Sequence, residues 1–548
     1  MAITPLSSSR VRPWVSATPA SVPPLAPGGA RPEARVRPGP APRRIASNFA
    51  WLSLAEVICR GTSVAVTLAL AKRLGPAGYG RVELAFNIVF WLVLLVRDAF
   101  EVITSRELAR HPRLIRPLVN HVLAIKGAIA LGLFAALVMI GRLTLSTPSD
   151  RAILTLYGLL LVTTALGLDF VYRSTERMGL VALSLCIRTL VYAGGVWFWV
   201  SDASRIVWVP AWLALGEASG IALVWTCYAR RYGLPRPHFG VRFLRILLRR
   251  GRSVCLIQAA QTVIGSADLM VVGLMSRWEE IGCYGAPYRM ISAILTFGVI
   301  FQQAAFPTLA RSWRQAPGTG RASLNALVKV LAGGLLPVAV GGTVLAAPLV
   351  RFLLSTKYAE ASLLLALGIW RAPLLTVAFL YQAMLIAVNR EASGVRLLLA
   401  GAVASGPLAL ALHTAFGLPG ALMSVLVIGA SLVLAGFACL AREGREPAWH
   451  HHLARPLVAS AVMVPVCLLL QRWHVLAAVA GGAATYAFAL SAVGGIRPEE
   501  VRAILGRGHA HALDDPTPGV MPPRPEAASS PRFESPAGLS RPNLVNTA

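Results

Sequence analysis

Apolar runs of roughly 18 or more residues recur along almost the whole chain, which is the length a helix needs to cross the hydrocarbon of a bilayer. They lie near 48–71, 82–105, 118–141, 152–172, 179–200, 207–228, 253–275, 284–309, 323–354, 361–388, 394–416, 418–440, 456–473 and 475–495. The reading is an all-α integral membrane protein with about fourteen transmembrane helices. The last pair is short, which leaves twelve as the alternative count. Composition agrees: 56% of residues are hydrophobic and 14% charged, with a mean hydropathy of +0.63, against about 25% charged residues in soluble proteins.

A formal net charge of +28 invites a nucleic-acid partner, but the placement of the basic residues argues against one. Arg106, Arg110, Arg113 and Arg116 fill one gap, Arg173 and Arg177 another, and a dense run from Arg230 to Arg252 a third. Arg311, Arg314 and Arg321, then Arg390 and Arg396, then Arg442, Arg445 and Arg455 continue on the same side. The opposite gaps hold far fewer, with Lys72, Arg73 and Arg81 as the exception. This positive-inside bias predicts a cytoplasmic (inner) membrane protein with both termini cytoplasmic and no nucleic-acid partner. Arginine outnumbers lysine about twelvefold, the codon bias of a GC-rich genome.

Two stretches roughly 200 residues apart read as copies. One runs Leu74-Gly75-Pro76-Ala77-Gly78-Tyr79-Gly80 and closes, after an apolar segment, on Glu107-Leu108-Ala109-Arg110. The other runs Ile281-Gly282-Cys283-Tyr284-Gly285 and closes on Thr308-Leu309-Ala310-Arg311. Each is a tight Gly/Tyr turn, one membrane-length helix and a basic exit. Gly75 and Pro76 are expected to stop the first helix, with Tyr79 at the membrane interface. A duplication on this scale inside an apolar chain is the mark of a transporter built from two bundles. The expected organisation is an N-terminal six-helix bundle at 47–229, a basic cytoplasmic linker at 230–252, a C-terminal six-helix bundle at 253–440 and a further helix pair at 441–496. Residues 1–46, with ten prolines, seven arginines and one acid, and the Pro-rich residues 497–548 are expected to be disordered tails.

Chemistry-bearing motifs are scarce. The seven cysteines stand singly, without Cys-x-x-Cys, and His450, His451 and His452 have no Cys or acid ligand nearby, so neither a disulfide framework nor a metal site is suggested. His509 and Asp514 have an acyltransferase spacing but sit in the C-terminal tail. No loop is long enough for a catalytic domain, so the chain is not expected to be an enzyme.

Polar residues inside the apolar runs are the informative ones, because a charge at helix centre costs about 3 kcal/mol on insertion scales and normally faces a protein cavity. Glu56, Arg60, Ser63 and Thr67 form one helical stripe, and Asn87, Trp91, Asp98, Glu101 and Ser105 another. Gln258, Gln261 and Asp268 mark the seventh helix; Arg289, Ser292, Thr296 and Gln303 mark the eighth. These are the repeat-related pairs, so their polar faces are expected to line a shared cavity, with Arg60 and Arg289 foremost as substrate contacts. Lys126, Asp169, Arg188, Glu217, Lys329, Arg371 and Gln382 are further isolated polar residues. For Asp169 an ion pair with Arg173, and for Arg371 a snorkelling end, are the structural alternatives. Gly216 and Gly220 read as close helix packing.

In order and spacing, Asn48, Leu74-Gly75-Pro76-x-x-Tyr79-Gly80, Asp98, Glu107-Leu108-Ala109-Arg110, Tyr172, Glu176-Arg177, Asp268, Gly282-x-Tyr284, Tyr288-Arg289 and Phe306-Pro307 resemble the Wzx-type polysaccharide-biosynthesis flippases of the multidrug/oligosaccharidyl-lipid/polysaccharide exporter superfamily. The likeness covers roughly residues 47–440; Arg97-Asp98-Ala99-Phe100 departs from the Asp-Leu/Phe-Gly usual there. The resemblance implies two six-helix bundles in a V and translocation of a polyprenyl-pyrophosphate-linked oligosaccharide to the outer leaflet for surface polysaccharide synthesis. Its expected partners are that lipid-linked glycan, membrane lipids and other polysaccharide-assembly proteins. A diphosphate cargo suits an arginine-lined chamber, which offers paired hydrogen-bond donors across about 30 Å of hydrocarbon. No cofactor is implied; alternating access would be coupled to a proton or sodium gradient through acids such as Glu56, Asp98 or Asp268. A cation-coupled exporter of small drugs would use the same architecture, and an integral membrane glycan-processing enzyme is the more distant alternative.

Overall fold

A computed structural model describes residues 42–315, 317–388, 390–444 and 449–494. The tails expected at 1–46 and 497–548, with His509 and Asp514, lie outside the described residues except for 42–46, which already belong to the first helix. All regular structure among the described residues is helical. The N-terminal half holds α1 (Pro42–Val96), α2 (Asp98–Arg110), α3 (Ile115–Thr144), α4 (Pro148–Leu166), α5 (Asp169–Ser174), α6 (Met178–Trp199) and α7 (Trp208–Tyr232). The C-terminal half holds α8 (Val241–Met275), α9 (Trp278–Gln315), α10 (Pro317–Val344), α11 (Ala346–Leu353), α12 (Ala361–Gly368), α13 (Arg371–Ala387) and α14 (Glu391–Ala441); α15 (Trp449–Leu470) and α16 (Val475–Ala492) follow.

Twelve of the described helical stretches are long and apolar enough to cross a membrane. Two of them, Leu54–Val96 with 43 residues and Glu391–Ala441 with 51, exceed what one crossing uses. Both contain a break. Gly75 has φ 68° and ψ 176°, and Gly417 has φ 65° and ψ −146°. That corner of backbone space is essentially open to glycine alone, and Pro76 and Pro419 follow closely. The helix stop read from Gly75-Pro76 is therefore where the backbone leaves the helix.

The stretch 230–252 is less of a linker than its charge suggests. α7 runs to Tyr232 and α8 starts at Val241, so only 233–240 lack regular structure, where Gly233, Pro235, Pro237 and Gly240 interrupt helix formation. Asn120 at the start of α3 holds this connection, its Oδ1 accepting from the Arg236 amide at 2.9 Å and its carbonyl from the His238 amide at 3.2 Å.

One apolar core runs through both halves. Val66, Leu70, Val89, Ile153, Tyr157 and Leu161 pack in the same cluster as Cys283, Ile291, Val350, Leu365 and Ile369. Within the N-terminal half α7 lies close on α6: a Cβ on Gly216 would stand 2.6 Å from the Arg188 carbonyl, and one on Gly220 2.9 Å from the Ser184 carbonyl. This is the close packing expected of that Gly-x-x-x-Gly. The pair α15 and α16 docks on α10, where Tyr486 donates to the Gly333 carbonyl at 2.6 Å.

Candidate functional site at the junction of the halves

The two copies of the Gly/Tyr turn face each other. A Cβ on Gly80 would come within 2.1 Å of the Trp278 carbonyl oxygen, and one on Gly282 within 2.0 Å of the Pro76 carbonyl oxygen. No real side chain fits at either point, so the glycines allow the two halves to meet backbone to backbone. From this seam the second arm of α1 and then α2 run antiparallel to α8. Leu84 fills the space over Gly273, Trp91 Nε1 donates to Ser266 Oγ at 2.8 Å, and Ile103 lies over Gly251.

Directly beneath the seam is an ion pair between the halves. Arg289 on α9 donates its Nε to both oxygens of Glu83, at 2.8 and 3.0 Å, and its guanidinium lies 4.1 Å from the centre of the Phe86 ring. Glu83 also accepts from Tyr79 Oη at 3.0 Å. Gly285 makes room for it: a Cβ there would meet Glu83 Cγ at 2.6 Å. Glu83 is 2% exposed and Tyr79 equally so. Tyr79, expected at the membrane interface, thus points into the protein and not outward. Its hydroxyl has a carboxylate to satisfy inside the protein, and the glycines beside it admit the opposite half rather than lipid.

Tyr284, the repeat equivalent of Tyr79, also donates to a carboxylate, Asp268 Oδ2 at 2.5 Å. Asp268 pairs with Arg371 Nη1 at 3.1 Å, and Arg371 Nη2 donates to the Gly265 carbonyl, which Tyr288 also reaches at 3.0 Å. Arg371 is 2% exposed, so it does not snorkel. All of this second network lies within the C-terminal half. A third cluster lies within the N-terminal half, where Arg188 pairs with Asp169 at 2.9 Å and Glu217 at 3.2 Å. Arg173, the partner expected for Asp169, is exposed; the longer reach of Arg188 from α6, over Gly220, supplies the pair instead. Lys126 is fully buried, with its Nζ 5.8 Å from the Phe170 ring centre.

The candidate residues thus fall into separate groups rather than one ring. Arg289 bridges the halves, Asp268 and Arg188 belong to one half each, and Gln261 donates to Gln382 at 3.3 Å, with Gln258 half-buried on the same helix. Glu56 and Arg60 pair along α1 at 3.7 Å, Arg60 keeping 47% of its side-chain surface exposed. Ser63 is exposed beside them, whereas Ala55, Cys59, Val66 and Leu70 of the same arm are buried. Arg60 and Ser63 are therefore uncovered together with the apolar Leu54, Val57 and Ile58, while Glu56 and Thr67 are half-buried. The side chains of Asp98 and Gln303 lie outside the described residues. Sequence reasoning missed Glu83. It stands one helical turn after Tyr79, at the place the second copy gives to Tyr288, and that spacing was the available signal.

Residues 45–313 match the family described as polysaccharide biosynthesis protein. Over that stretch, just under half of its length, the chain matches this family. Its fold is that of solved flippases and transporters. A lipid II flippase MurJ in an inward closed conformation is 14% identical with a TM-score of 0.67, covering 81% of this chain and 98% of that one. An inward-facing multidrug resistance MATE family transporter is 13% identical with a TM-score of 0.58, covering 70% and 93%. A eukaryotic MATE transporter, AtDTX14, is 11% identical with a TM-score of 0.52, covering 76% and 99%. No curated protein matches in sequence. The fold neighbours are named as a flippase and transporters, and the twelve long apolar helical stretches among the described residues make this chain a multi-pass membrane protein.

Proposed function

We propose that the protein flips a polyprenyl-diphosphate-linked oligosaccharide from the cytoplasmic to the outer leaflet of the cytoplasmic membrane for surface polysaccharide synthesis. The two arms of each broken helix cross the membrane separately, giving fourteen spans, two six-helix bundles and a C-terminal pair, with both termini in the cytoplasm. The observation that carries the reading is the asymmetry of the junction. The halves meet at Gly80 and Gly282 and are locked by Glu83–Arg289, while Arg60 and Ser63 on the first arm of α1 stay uncovered. In this topology the locked end is the outer one and the uncovered Arg60 lies toward the cytoplasm, as a carrier awaiting cargo from inside requires. Arg60 is then the donor that meets the diphosphate, since its guanidinium is exposed and its bond to Glu56 long. The polyprenyl tail stays in lipid between helices.

The MATE-like fold favours a second reading, a cation-coupled exporter of small molecules. Deleting the gene separates the two. The flippase reading expects loss of surface polysaccharide with lipid-linked repeat units accumulating on the inner leaflet. Unchanged polysaccharide with altered drug tolerance would establish the exporter, and loss of the lipid-linked precursor itself would point to an enzyme of its synthesis.

A further inference from the structure

The outer ends of α3 and α4 carry positive charge that the fold itself does not use. Arginine and lysine are disfavoured on the outer side of a cytoplasmic membrane, and several that stand there in the proposed topology answer the carbonyls of helix ends. Lys72 donates to the Phe352 carbonyl at 3.2 Å, Arg205 to the Trp199 carbonyl at 3.2 Å, and Arg73 to the Val196, Trp197 and Val200 carbonyls at 3.1, 3.0 and 2.8 Å. Arg142, in the last turn of α3, is different: it is exposed and has no hydrogen-bond or ion-pair partner among the described residues. Arg151, in the first turn of α4, is pinned through its Nε, which donates to the Leu145 carbonyl at 2.7 Å, and its Nη groups are left over. Asp150 beside it is already paired with Arg81 at 3.7 Å and does not neutralise either one.

The two arginines share a cavity. Deeper in the membrane α3 and α4 close on each other, where a Cβ on Gly158 would meet the Phe134 ring at 2.9 Å. Nearer the turn that joins them they leave a space of about 540 Å³, lined by Arg142, Arg151 and Thr155 on its polar side and by Val138, Ala152 and Leu156 on its apolar side. The neighbouring Met139, Ile140 and Leu143 of α3 are exposed and apolar, so this flank borders lipid. We propose that the cavity binds the anionic headgroup of a phospholipid of the outer leaflet, with the guanidiniums of Arg142 and Arg151 on its phosphate. Guanidinium and phosphate oxygens match in charge and in the geometry of their paired hydrogen bonds, and a basic pocket between membrane helices is a known form of headgroup site. The apolar side of the cavity and the exposed residues beyond it suit the glycerol and acyl chains, for which a free phosphate ion has no use. The inference takes from the reading above only the side of the membrane on which the cavity lies.

The test is native mass spectrometry of the purified full-length protein in neutral detergent, titrated with phosphatidylglycerol and, separately, with phosphatidylcholine of the same chains. The first lipid retained should be phosphatidylglycerol, and Arg142→Ala should weaken its binding about tenfold, the order expected for losing a hydrogen bond to a charged group. Phosphatidylcholine binding should not change. Arg205→Ala removes an outer arginine away from the cavity and should leave phosphatidylglycerol binding as in wild type. A phosphatidylglycerol with a photoreactive headgroup should cross-link wild type within residues 138–156, a readout that stands even if Arg142→Ala does not fold. Equal retention of the two lipids, an equal loss in Arg205→Ala, or cross-links outside that stretch would each overturn the proposal. So would displacement of the lipid by inorganic phosphate, which marks a free-anion site, or by a polyprenyl diphosphate, which marks a cargo site. The leaflet is read separately: Ser146→Cys, in the exposed turn beside the cavity, should react with an impermeant reagent from outside, and labelling from inside would overturn the outer-leaflet assignment. Neither measurement involves transport, so an altered drug tolerance with intact polysaccharide would sink the cargo assignment and leave these results standing.

Discussion

Arg371 and Arg60 are both arginines in apolar helices, and their surroundings give them opposite behaviour on truncation. Arg371 is enclosed against Asp268, so Arg371→Ala strands a buried carboxylate, a change that costs about 3–5 kcal/mol. Thermal unfolding should register it as a large loss of stability, with abundance falling in the membrane. Arg60 is half exposed and its bond to Glu56 is long, so Arg60→Ala should change stability by less than about 1 kcal/mol. If Arg60 meets the cargo diphosphate, Ala should abolish complementation at normal abundance, whereas Lys should retain part of it because the charge survives while the bidentate fork is lost. Restored transport in the double variant of Glu56→Ala with Arg60→Ala would reduce Arg60 to an ion-pair partner.

At the scale of helices, four glycines do two different jobs. Gly75 and Gly417 break long helices, and Ala at either must adopt a backbone conformation costing about 1–3 kcal/mol, which should appear as a lowered unfolding temperature. Gly80 and Gly282 have no such backbone demand; what they supply is space for the opposing carbonyl. Gly282→Ala would set a methyl group on the Pro76 carbonyl, so it should hold the halves apart. The expected result is lost transport with abundance near wild type, checked by complementation alongside quantification of the protein. Normal transport would show that the halves need not meet there.

For the molecule as a whole, the arginine alternation and the two breaks make one topology testable. Reporters fused after Arg252 and Arg442 should report cytoplasm, and one near Glu279 the outside. A cysteine at Phe416, which is 64% exposed, should be labelled from the outside by an impermeant reagent if the two arms of α14 cross separately. Labelling from the inside would contradict the fourteen-span topology. A cytoplasmic Glu279 would remove the parallel relation of the halves and with it the main support for alternating access.

Hydropathy, the glycine turns and the order of the motif residues were enough to place this chain in a membrane, in helices, and in the likeness of the family that residues 45–313 match, because burial in lipid and backbone geometry act on residues close in sequence. The helix stop at Gly75 and the packing of Gly216 and Gly220 were legible for the same local reason. Which charge answers which was not. Asp169 has Arg173 four residues away yet bonds to Arg188, and Arg289 finds Glu83 from 206 residues further along the chain. A polar stripe on a helix shows that some partner must exist, since a lone charge in an apolar interior is too costly to keep. Its identity depends on how helices far apart in sequence are brought side by side, and in this protein the glycine seam between the halves decides it.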